Sequence, residues 1–304
     1  MKAAQFSRFG GPEVLEIVDL PEPHPGPGEV RIAVRAAGVN ASDWKKRLGQ
    51  MDPELPQTLG YEAAGVVDEL GDGVVDVALG DRVYGFSGGA AQAELAVLSS
   101  YAPIPDGLDF TQAAALPASA ETAARALDQL GVSRDGSAGP VTLLISGASG
   151  NVGGAATQLA IARGARVIGS ASAAKQDYVR SLGAEPVVYG DGLGERVRAL
   201  TPGGVDLALD VAGSGILPEL IELAGGAQNV ITVADFLGAR DNGVRFSRGD
   251  AGRALYVLGE LAELLASGRF AVPPVQTFPL TDIAEAHRVG ESGRAGGKLV
   301  LAVG

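Results

Sequence analysis

The sequence predicts an α/β protein in which a doubly wound parallel sheet is inserted into a small β-barrel domain. Up to about residue 118, short β-branched runs such as EVRIAVRAAGV and AAGVVDEL are separated by Gly and Pro turns, which is typical of a small barrel. From residue 119 to residue 267, apolar strands alternate with helical patterns. This alternation indicates a parallel sheet with helices on both faces.

The last segment, residues 268–304, returns to a strand–helix–strand pattern in VQTFPLTDIAEAHRV and GGKLVLAVG. We therefore expect it to rejoin the first domain, so that one domain comprises residues 1–118 and 268–304 and the other comprises residues 119–267. Within the second domain, the run AGRALYVLGELAELLAS predicts one long helix.

Composition excludes several partners and several kinds of chemistry. The 304 residues have a formal net charge of -12, no cysteine and two histidines. An acidic chain is a poor ligand for nucleic acid or an anionic membrane. We expect no secretory leader and no membrane span, so the cytoplasm is the expected compartment. Disulfides, thiolate catalysis and Cys-based zinc sites are excluded, and His24 and His287 are expected to be loop or surface residues.

A glycine loop follows the first strand of the alternating domain. The stretch LLISGASGNVGGAATQLA, residues 143–160, joins an apolar strand to an Ala-rich helix through small residues. Its segment 148–153 fits the Rossmann fingerprint, with Ala148 in place of the first glycine. Gly150 lets the backbone approach a pyrophosphate, and Gly153 lets the helix pack closely on the strand. Free N–H groups at the helix N-terminus favour phosphate, so the loop predicts a dinucleotide cofactor.

The end of the second strand indicates which dinucleotide binds. An NAD-binding domain usually places Asp or Glu about 20 residues after the glycines, where it binds the ribose 2′-hydroxyl. That position here holds Ser170, followed by Ser172 and Lys175. Hydroxyls and an ammonium can hold a 2′-phosphate that a carboxylate would repel. The pattern favours NADPH over NADH, although Lys175 could also be an ordinary solvated helix residue.

Several further stretches are distinctive: GVNASDWKKRLG, LGYEAAGVV, LGDRVYGF, LPASAETAARAL and AGGKLVLAV. Through them the whole chain resembles the zinc-free quinone oxidoreductase branch of the medium-chain dehydrogenase/reductase superfamily. The resemblance implies a GroES-like β-barrel domain packed on a Rossmann domain, with the active site in the cleft between them, and a homodimer. Zinc members of the superfamily hold their catalytic metal at the positions of Asn40, Tyr61 and Ala118, so the resemblance implies that no metal binds here.

The resemblance also assigns cofactor contacts. Members of the branch hold the 2′-phosphate with Lys and Tyr at the positions of Lys175 and Tyr189. The remaining implied contacts lie along the pyrophosphate and the nicotinamide: Thr122, Asn151, Val152, Ala212, Val233, Ala234 and Phe236. The chain is shorter than the branch pattern after ITVADFLGARDNG, and this leaves the loop that faces the substrate unspecified.

Without zinc to polarise an isolated carbonyl, hydride transfer should favour an electron-poor small molecule, either a quinone or an alkene conjugated to a carbonyl. Asn40, Ser42 and Tyr61 are the candidate catalytic hydrogen-bond donors. Alternatives stay open: Asn40 could cap a turn, and Tyr61 could fill the space left by the metal. Asp43 is expected to organise the NASD turn, and Trp44 either lines a cleft or packs in the core.

A second function remains possible on the same scaffold. A non-catalytic NADPH-binding sensor or interaction protein would have the same glycine loop, so the loop does not separate it from a reductase. The distinguishing feature would be an opening over the nicotinamide that is large enough for an acceptor.

Overall fold

The computed structural model describes residues 1–137, 139–249 and 252–304. The chain divides into two compact units, which we call the barrel unit (Met1–Ala118 with Val272–Gly304) and the sheet unit (Ser119–Ala271). Among the described residues, no helix has the length and apolar character that a membrane crossing requires.

The elements of the first segment of the barrel unit are β1 (Lys2–Phe6), β2 (Glu16–Asp19), β3 (Val30–Gly38), α1 (Ala41–Arg47), β4 (Gln57–Thr58), β5 (Glu62–Leu70), β6 (Arg82–Ser87), β7 (Leu95–Pro103) and α2 (Phe110–Ala114). Those that follow, mostly in the sheet unit, are α3 (Pro117–Gln129), β8 (Thr142–Ser146), α4 (Asn151–Ala162), β9 (Arg166–Ala171), α5 (Gln176–Ser181), β10 (Glu185–Val188), α6 (Leu193–Leu200), β11 (Leu207–Asp210), α7 (Leu217–Leu223), β12 (Val230–Thr232), α8 (Phe236–Asn242), β13 (Arg245–Phe246) and α9 (Val257–Ala266). The last segment, again in the barrel unit, contains β14 (Val275–Pro279), α10 (Ile283–Glu291) and β15 (Lys298–Ala302).

The barrel unit is built on a sheet whose strands lie in the order β14-β15-β3-β5-β6-β7. Strand β7 also pairs with β3, so β3, β5, β6 and β7 close on themselves. Alternate residues of β3 such as Val30, Ile32 and Val34 are buried, as expected for strands with one face in a core. The final segment completes this core, since β15 pairs with β3 and Leu299 and Leu301 belong to the same apolar cluster.

The sheet unit contains a parallel sheet in the order β10-β9-β8-β11-β12-β13. The order reverses between β8 and β11, which is where doubly wound proteins bind nucleotides. In the register, Ser146 lies opposite both Ser170 and Asp210, and Asp210 lies opposite Thr232. The carboxyl ends of the central strands therefore meet at one edge of the sheet. Together with the barrel unit, this confirms the predicted fold class.

Two local predictions are wrong. The predicted helix begins at residue 251, which lies outside the described residues. The observed helix α9 begins only at Val257. The backbone N–H of Ala254 donates to Glu121 Oε1 at 3.1 Å, and this contact with α3 holds the preceding segment outside the helix. His287 is a core residue with no exposed surface, because it lies on the buried face of α10.

Trp44 packs in the core of the barrel unit. Its ring meets the His287 ring edge-on, with 6.2 Å between ring centroids. A Cβ atom at Gly290 would lie 2.7 Å from the Trp44 ring, so α1 and α10 approach closely at this glycine. Of the two roles considered for Trp44, the structure supports packing.

Candidate active site and cofactor site

The residues predicted to bind the cofactor follow successive strand ends of the sheet unit. The glycine loop follows β8, Lys175 lies beyond β9, and Tyr189 follows β10 directly. Ala212 comes after β11, and Val233, Ala234 and Phe236 come after β12. Because these strands are parallel and in register, the loops share one edge of the sheet. Thr122 lies in α3 and is partly exposed.

The glycine loop offers uncapped backbone N–H groups. Gly150 is the N-cap of α4 and provides no side-chain cap, so the first N–H groups of the helix, those of Asn151, Val152 and Gly153, have no side-chain acceptor there. Gly147 adopts a positive φ of 85°, and Gly150 N–H donates to Gly147 O at 3.0 Å. A Cβ atom on Gly153 would lie only 2.2 Å from Gly147 O. The loop therefore requires these glycines, and its geometry fits a phosphate.

The ends of β9 and β10 carry no carboxylate. Ser170 is 2% exposed, and its Oγ accepts the Gly147 N–H at 3.4 Å, so its hydroxyl faces the glycine loop. Lys175 is exposed, with its Nζ 5.9 Å from the centre of the Tyr178 ring. Tyr189 is 59% exposed. An accessible ammonium and an accessible phenol thus lie beyond two neighbouring strands.

Arg196 orders the loop that contains Tyr189. Its guanidinium donates to the carbonyl oxygens of Val188, Gly190 and Asp191 at 2.9 to 3.0 Å. Arg196 could not be recognised from the sequence, because its contacts are made to backbone atoms, which leave no pattern of residue types.

Two polar side chains that the sequence analysis missed fix the ends of β11 and β12. Asp210 is fully buried, and its Oδ1 accepts the N–H groups of Ala212 and Gly213 at 3.0 and 3.1 Å. Thr232 Oγ1 donates to Asp210 Oδ2 at 2.8 Å and accepts the Ala234 N–H at 3.1 Å. The sequence signal for Asp210 is an acidic residue at the end of an apolar strand, in LALDVAG.

In the barrel unit, hydrogen bonds to Glu62 link two of the positions to which the resemblance assigns metal ligands. Asn40 Nδ2 donates to Glu62 Oε1 at 2.8 Å, and the Ala118 N–H donates to Glu62 Oε2 at 2.7 Å. Tyr61, the third position, precedes Glu62 in the chain. Lys298 Nζ donates to Glu62 Oε1 at 2.7 Å and also to Asn40 Oδ1.

Asn40 stands at the N-cap of α1, where it forms a capping box with Asp43. Asp43 organises the turn, because its Oδ2 accepts the Asn40 backbone N–H at 2.8 Å. Gln92 supports the same carboxylate, donating to Asp43 Oδ2 at 3.2 Å and to Gly38 O at 3.1 Å. Asn40 thus takes part in the first turn of α1 while its Nδ2 donates to Glu62.

Burial sets the protonation of the neighbouring groups. Asp43 has no exposed surface, and this burial raises the pKa of its carboxyl to about 6. Burial, reinforced by the negative charge of Asp43, raises the pKa of the Tyr61 phenol to about 12, so this hydroxyl stays protonated. The Lys46 ammonium lies 5.9 Å from the centre of the Tyr61 ring. Ser42 is partly exposed.

Glu62 and Lys298 are two further site residues that were not predicted from the sequence. Both are charged residues at the start of apolar strands, in YEAAGVV and GKLVLAV, and that was the signal available. Their side chains are 0% and 1% exposed, and a buried charged residue normally requires an opposite charge.

Comparison with known proteins agrees with this architecture. A model of the alcohol dehydrogenase GroES-like domain matches residues 26–106, and a zinc-binding dehydrogenase model matches residues 182–301. The quinone oxidoreductase of Pseudomonas syringae is 32% identical with a TM-score of 0.81, and the match covers 99% of both chains. The Escherichia coli quinone oxidoreductase complexed with NADPH is 27% identical with a TM-score of 0.84, covering 99% of this chain and all of that one.

A polyketide synthase protein is also similar. The spectinabilin polyketide synthase system protein NorB of Streptomyces orinoci is 36% identical over 311 residues, which is 96% of this chain. The chain spans only 14% of the length of NorB. Its fold, its glycine loop and these matches define a medium-chain dehydrogenase/reductase. Within that superfamily, the chain belongs to the quinone oxidoreductase branch.

Proposed function

We propose that the chain is an NADPH-dependent oxidoreductase that delivers hydride, without zinc, to a quinone or to an alkene conjugated to a carbonyl. The observation that carries the proposal is the state of the three zinc-ligand positions. They hold Asn40, Tyr61 and Ala118, and two of them are tied to Glu62 by hydrogen bonds. An amide, a phenol and an alanine can donate hydrogen bonds or fill space, but they are not zinc ligands.

The sheet unit fits NADPH, and the E. coli relative is an NADPH complex. Gly150, Asn151, Val152 and Gly153 would hold the pyrophosphate through uncapped N–H groups. The residues assigned to the 2′-phosphate are Lys175 and Tyr189, while the buried Ser170 accepts from the glycine loop beside them. Those assigned to the nicotinamide are Thr122, Ala212, Val233, Ala234 and Phe236. When bound, NADPH supplies the hydride.

The barrel unit supplies hydrogen-bond donors for the acceptor. Hydride addition at the β-carbon of an enone moves the alkene electron pair toward the carbonyl oxygen, which becomes an enolate oxygen. Donors from Asn40, Ser42 and Tyr61 can stabilise this charge. Protonation of the α-carbon then yields the saturated ketone, so that one enone, one NADPH and one proton are consumed. The conjugated acceptor is already electron-poor, which is why the reaction does not require a Lewis acid.

The test is NADPH oxidation by purified protein that has been dialysed against a chelator. Menadione and cyclohexenone should be reduced, whereas cyclohexanone, which has the same ring without the alkene, should not. Turnover that requires added zinc would contradict zinc independence. NADPH binding without turnover of any quinone or enone would favour the sensor. Homodimer formation and a cytoplasmic location are further parts of the proposal.

A further inference from the structure

Lys298 is a lysine buried at the start of β15, with 1% of its side chain exposed. Its Nζ donates to Glu62 Oε1 at 2.7 Å and to Asn40 Oδ1. An ammonium has three N–H donors and no acceptor. Lys298 can therefore approach only the oxygen of the Asn40 amide, never its nitrogen.

The two charged neighbours fix the orientation of the Asn40 amide. Its oxygen accepts from the Lys298 ammonium, and its Nδ2 donates to the Glu62 carboxylate at 2.8 Å. In the flipped orientation the NH₂ group would face the ammonium and the oxygen would face the carboxylate, so both contacts would become repulsive. In the orientation adopted, the second Nδ2–H has no partner among the described residues, and Asn40 is partly exposed.

A buried ion pair is weak evidence for stability, because well-packed apolar residues often serve a fold equally well. What this pair does is order its neighbours. Glu62 uses one oxygen for Asn40 and Lys298 and the other for the Ala118 N–H. The pair thus fixes a side chain and a backbone at two of the positions where zinc relatives hold their metal.

We infer that Lys298 is a positioning residue, which holds the Asn40 amide so that its free N–H donates to the oxygen of the electron acceptor. The inference rests on the proposed function, because it requires an acceptor whose oxygen gains negative charge during hydride transfer. A donor fixed in advance needs no reorganisation as that charge develops. Loss of such a donor typically lowers kcat by about 10²- to 10³-fold, so loosening it should lower kcat by about tenfold or more.

A double-mutant cycle tests this inference once wild-type turnover has been measured. Lys298→Met keeps the length of the side chain and removes the charge. It should lower kcat by about tenfold in the wild-type background and by less than about twofold in an Asn40→Ala background. The KM for NADPH should change little in either background. Lys298→Arg, which keeps a cationic donor, should recover much of the loss, and Lys2→Met, at an exposed ion pair with Asp19, should leave kcat unchanged.

Equal losses in the two backgrounds would show that Lys298 acts through the fold alone, and this would overturn the inference. A wild-type kcat for Lys298→Met would overturn it as well. Absence of wild-type turnover would instead defeat the proposed function, so the two failures can be distinguished.

A measurement on wild-type protein keeps the inference testable if Lys298→Met does not fold. The chain has four asparagines, Asn40, Asn151, Asn229 and Asn242, so selective ¹⁵N labelling gives few side-chain amide signals, and Asn40→Ala assigns that of Asn40. One Asn40 amide proton should be protected from solvent exchange by Glu62 and the other should exchange freely. Addition of NADP⁺ with cyclohexanone should shift the exchanging proton. Two equally exchanging protons, or no shift at saturating cyclohexanone, would overturn the inference.

Discussion

Each of the two units buries an ion pair. The pair in the barrel unit orders a side-chain amide, and the pair in the sheet unit orders a segment of the chain. In the barrel unit, Lys298 and Glu62 are 2.7 Å apart and 1% and 0% exposed. In the sheet unit, Arg125 and Glu121 are 2.9 Å apart on successive turns of α3 and 8% and 5% exposed. The barrel pair binds the Asn40 side-chain amide, one of whose N–H groups has no partner among the described residues. The sheet pair instead contacts a hydroxyl and a backbone N–H group that join two segments of the fold.

Arg125 and Glu121 join α3 to the segment that follows β13. Arg125 donates to Ser247 Oγ, and Glu121 accepts the Ala254 N–H at 3.1 Å. In the sheet unit the predicted pyrophosphate contacts are backbone N–H groups, which the fold itself orients. In the barrel unit the predicted donor is a flexible amide, which needs charged neighbours to orient it. The role of a buried ion pair therefore follows from the function of the groups that are hydrogen-bonded to it.

The largest expected effect is on the stability of the sheet unit. Arg125→Met leaves the buried Glu121 carboxylate without its cation, so the free energy of unfolding should fall by about 3–5 kcal/mol. Urea unfolding measures this loss. Glu121→Gln combined with Arg125→Met removes both charges and should restore much of the stability. The sheet pair is assigned a structural role only. A loss of kcat of about tenfold in folded Arg125→Met protein, as expected for Lys298→Met, would contradict that assignment.

The next effect concerns the close packing of the glycine loop. Gly153→Ala would place Cβ 2.2 Å from Gly147 O, and such overpacking typically costs about 1–3 kcal/mol. NADPH affinity should fall together with the free energy of unfolding, as measured by fluorescence titration and by urea. Gly154→Ala is the matched control, since the nearest atom to its Cβ would be Leu182 Cδ1 at 3.4 Å. Equal effects at the two glycines would contradict the role assigned to Gly153.

A third effect should appear in cofactor preference alone. Lys175→Ala removes the exposed ammonium beyond β9, and a hydrogen bond to a charged group contributes about 1.5–3 kcal/mol. The KM for NADPH should rise by about tenfold or more while the KM for NADH stays nearly constant. Arg180→Ala, which removes a positive charge from α5 where Arg180 pairs with Asp177, is the control. If Lys175→Ala leaves the ratio of the two KM values unchanged, Lys175 does not contact the 2′-phosphate.

The same contrast explains how much could be predicted from sequence. The parallel sheet and the glycine loop are local patterns: a strand, a glycine loop and a helix are consecutive, and the significance of Gly150 and Gly153 follows from their spacing. The amide-positioning cluster is not local. Lys298 meets Glu62 across 236 residues of chain and Asn40 across 258, and no periodicity reports such a contact.

The two wrong predictions have related causes. Helical periodicity predicts an earlier start for α9, but the hydrogen bond from the Ala254 N–H to Glu121 holds the preceding segment outside the helix. The residue type of His287 predicts an exposed position. The spacing of Ile283, Ala286 and His287 places all three on the buried face of α10, so periodicity was the better guide at this position.

The smallest expected effect is the pH dependence of stability, because two buried groups of the barrel unit oppose each other. Burial raises the pKa of Asp43 from 3.8 to about 6. Burial, aided by the Arg47 guanidinium, lowers the pKa of His287 from 6.5 to about 3. The stabilising contribution of Asp43 to the free energy of unfolding is therefore complete below pH 3.8 and is lost as the pH rises through about 6. The stabilising contribution of His287 to the free energy of unfolding is present above pH 6.5 and is lost as the pH falls toward 3.

Removing each group in turn should separate these contributions. Asp43→Asn eliminates the gain on acidification, so its free energy of unfolding should fall more steeply than that of the wild type between about pH 6 and about pH 4. His287→Gln eliminates the opposing loss, so its free energy of unfolding should fall less steeply over the same range. Urea unfolding at several pH values measures the three slopes. Parallel curves for the three proteins would mean that neither buried group changes its pKa on folding, and the barrel unit would then tolerate buried charge more readily than its contacts imply.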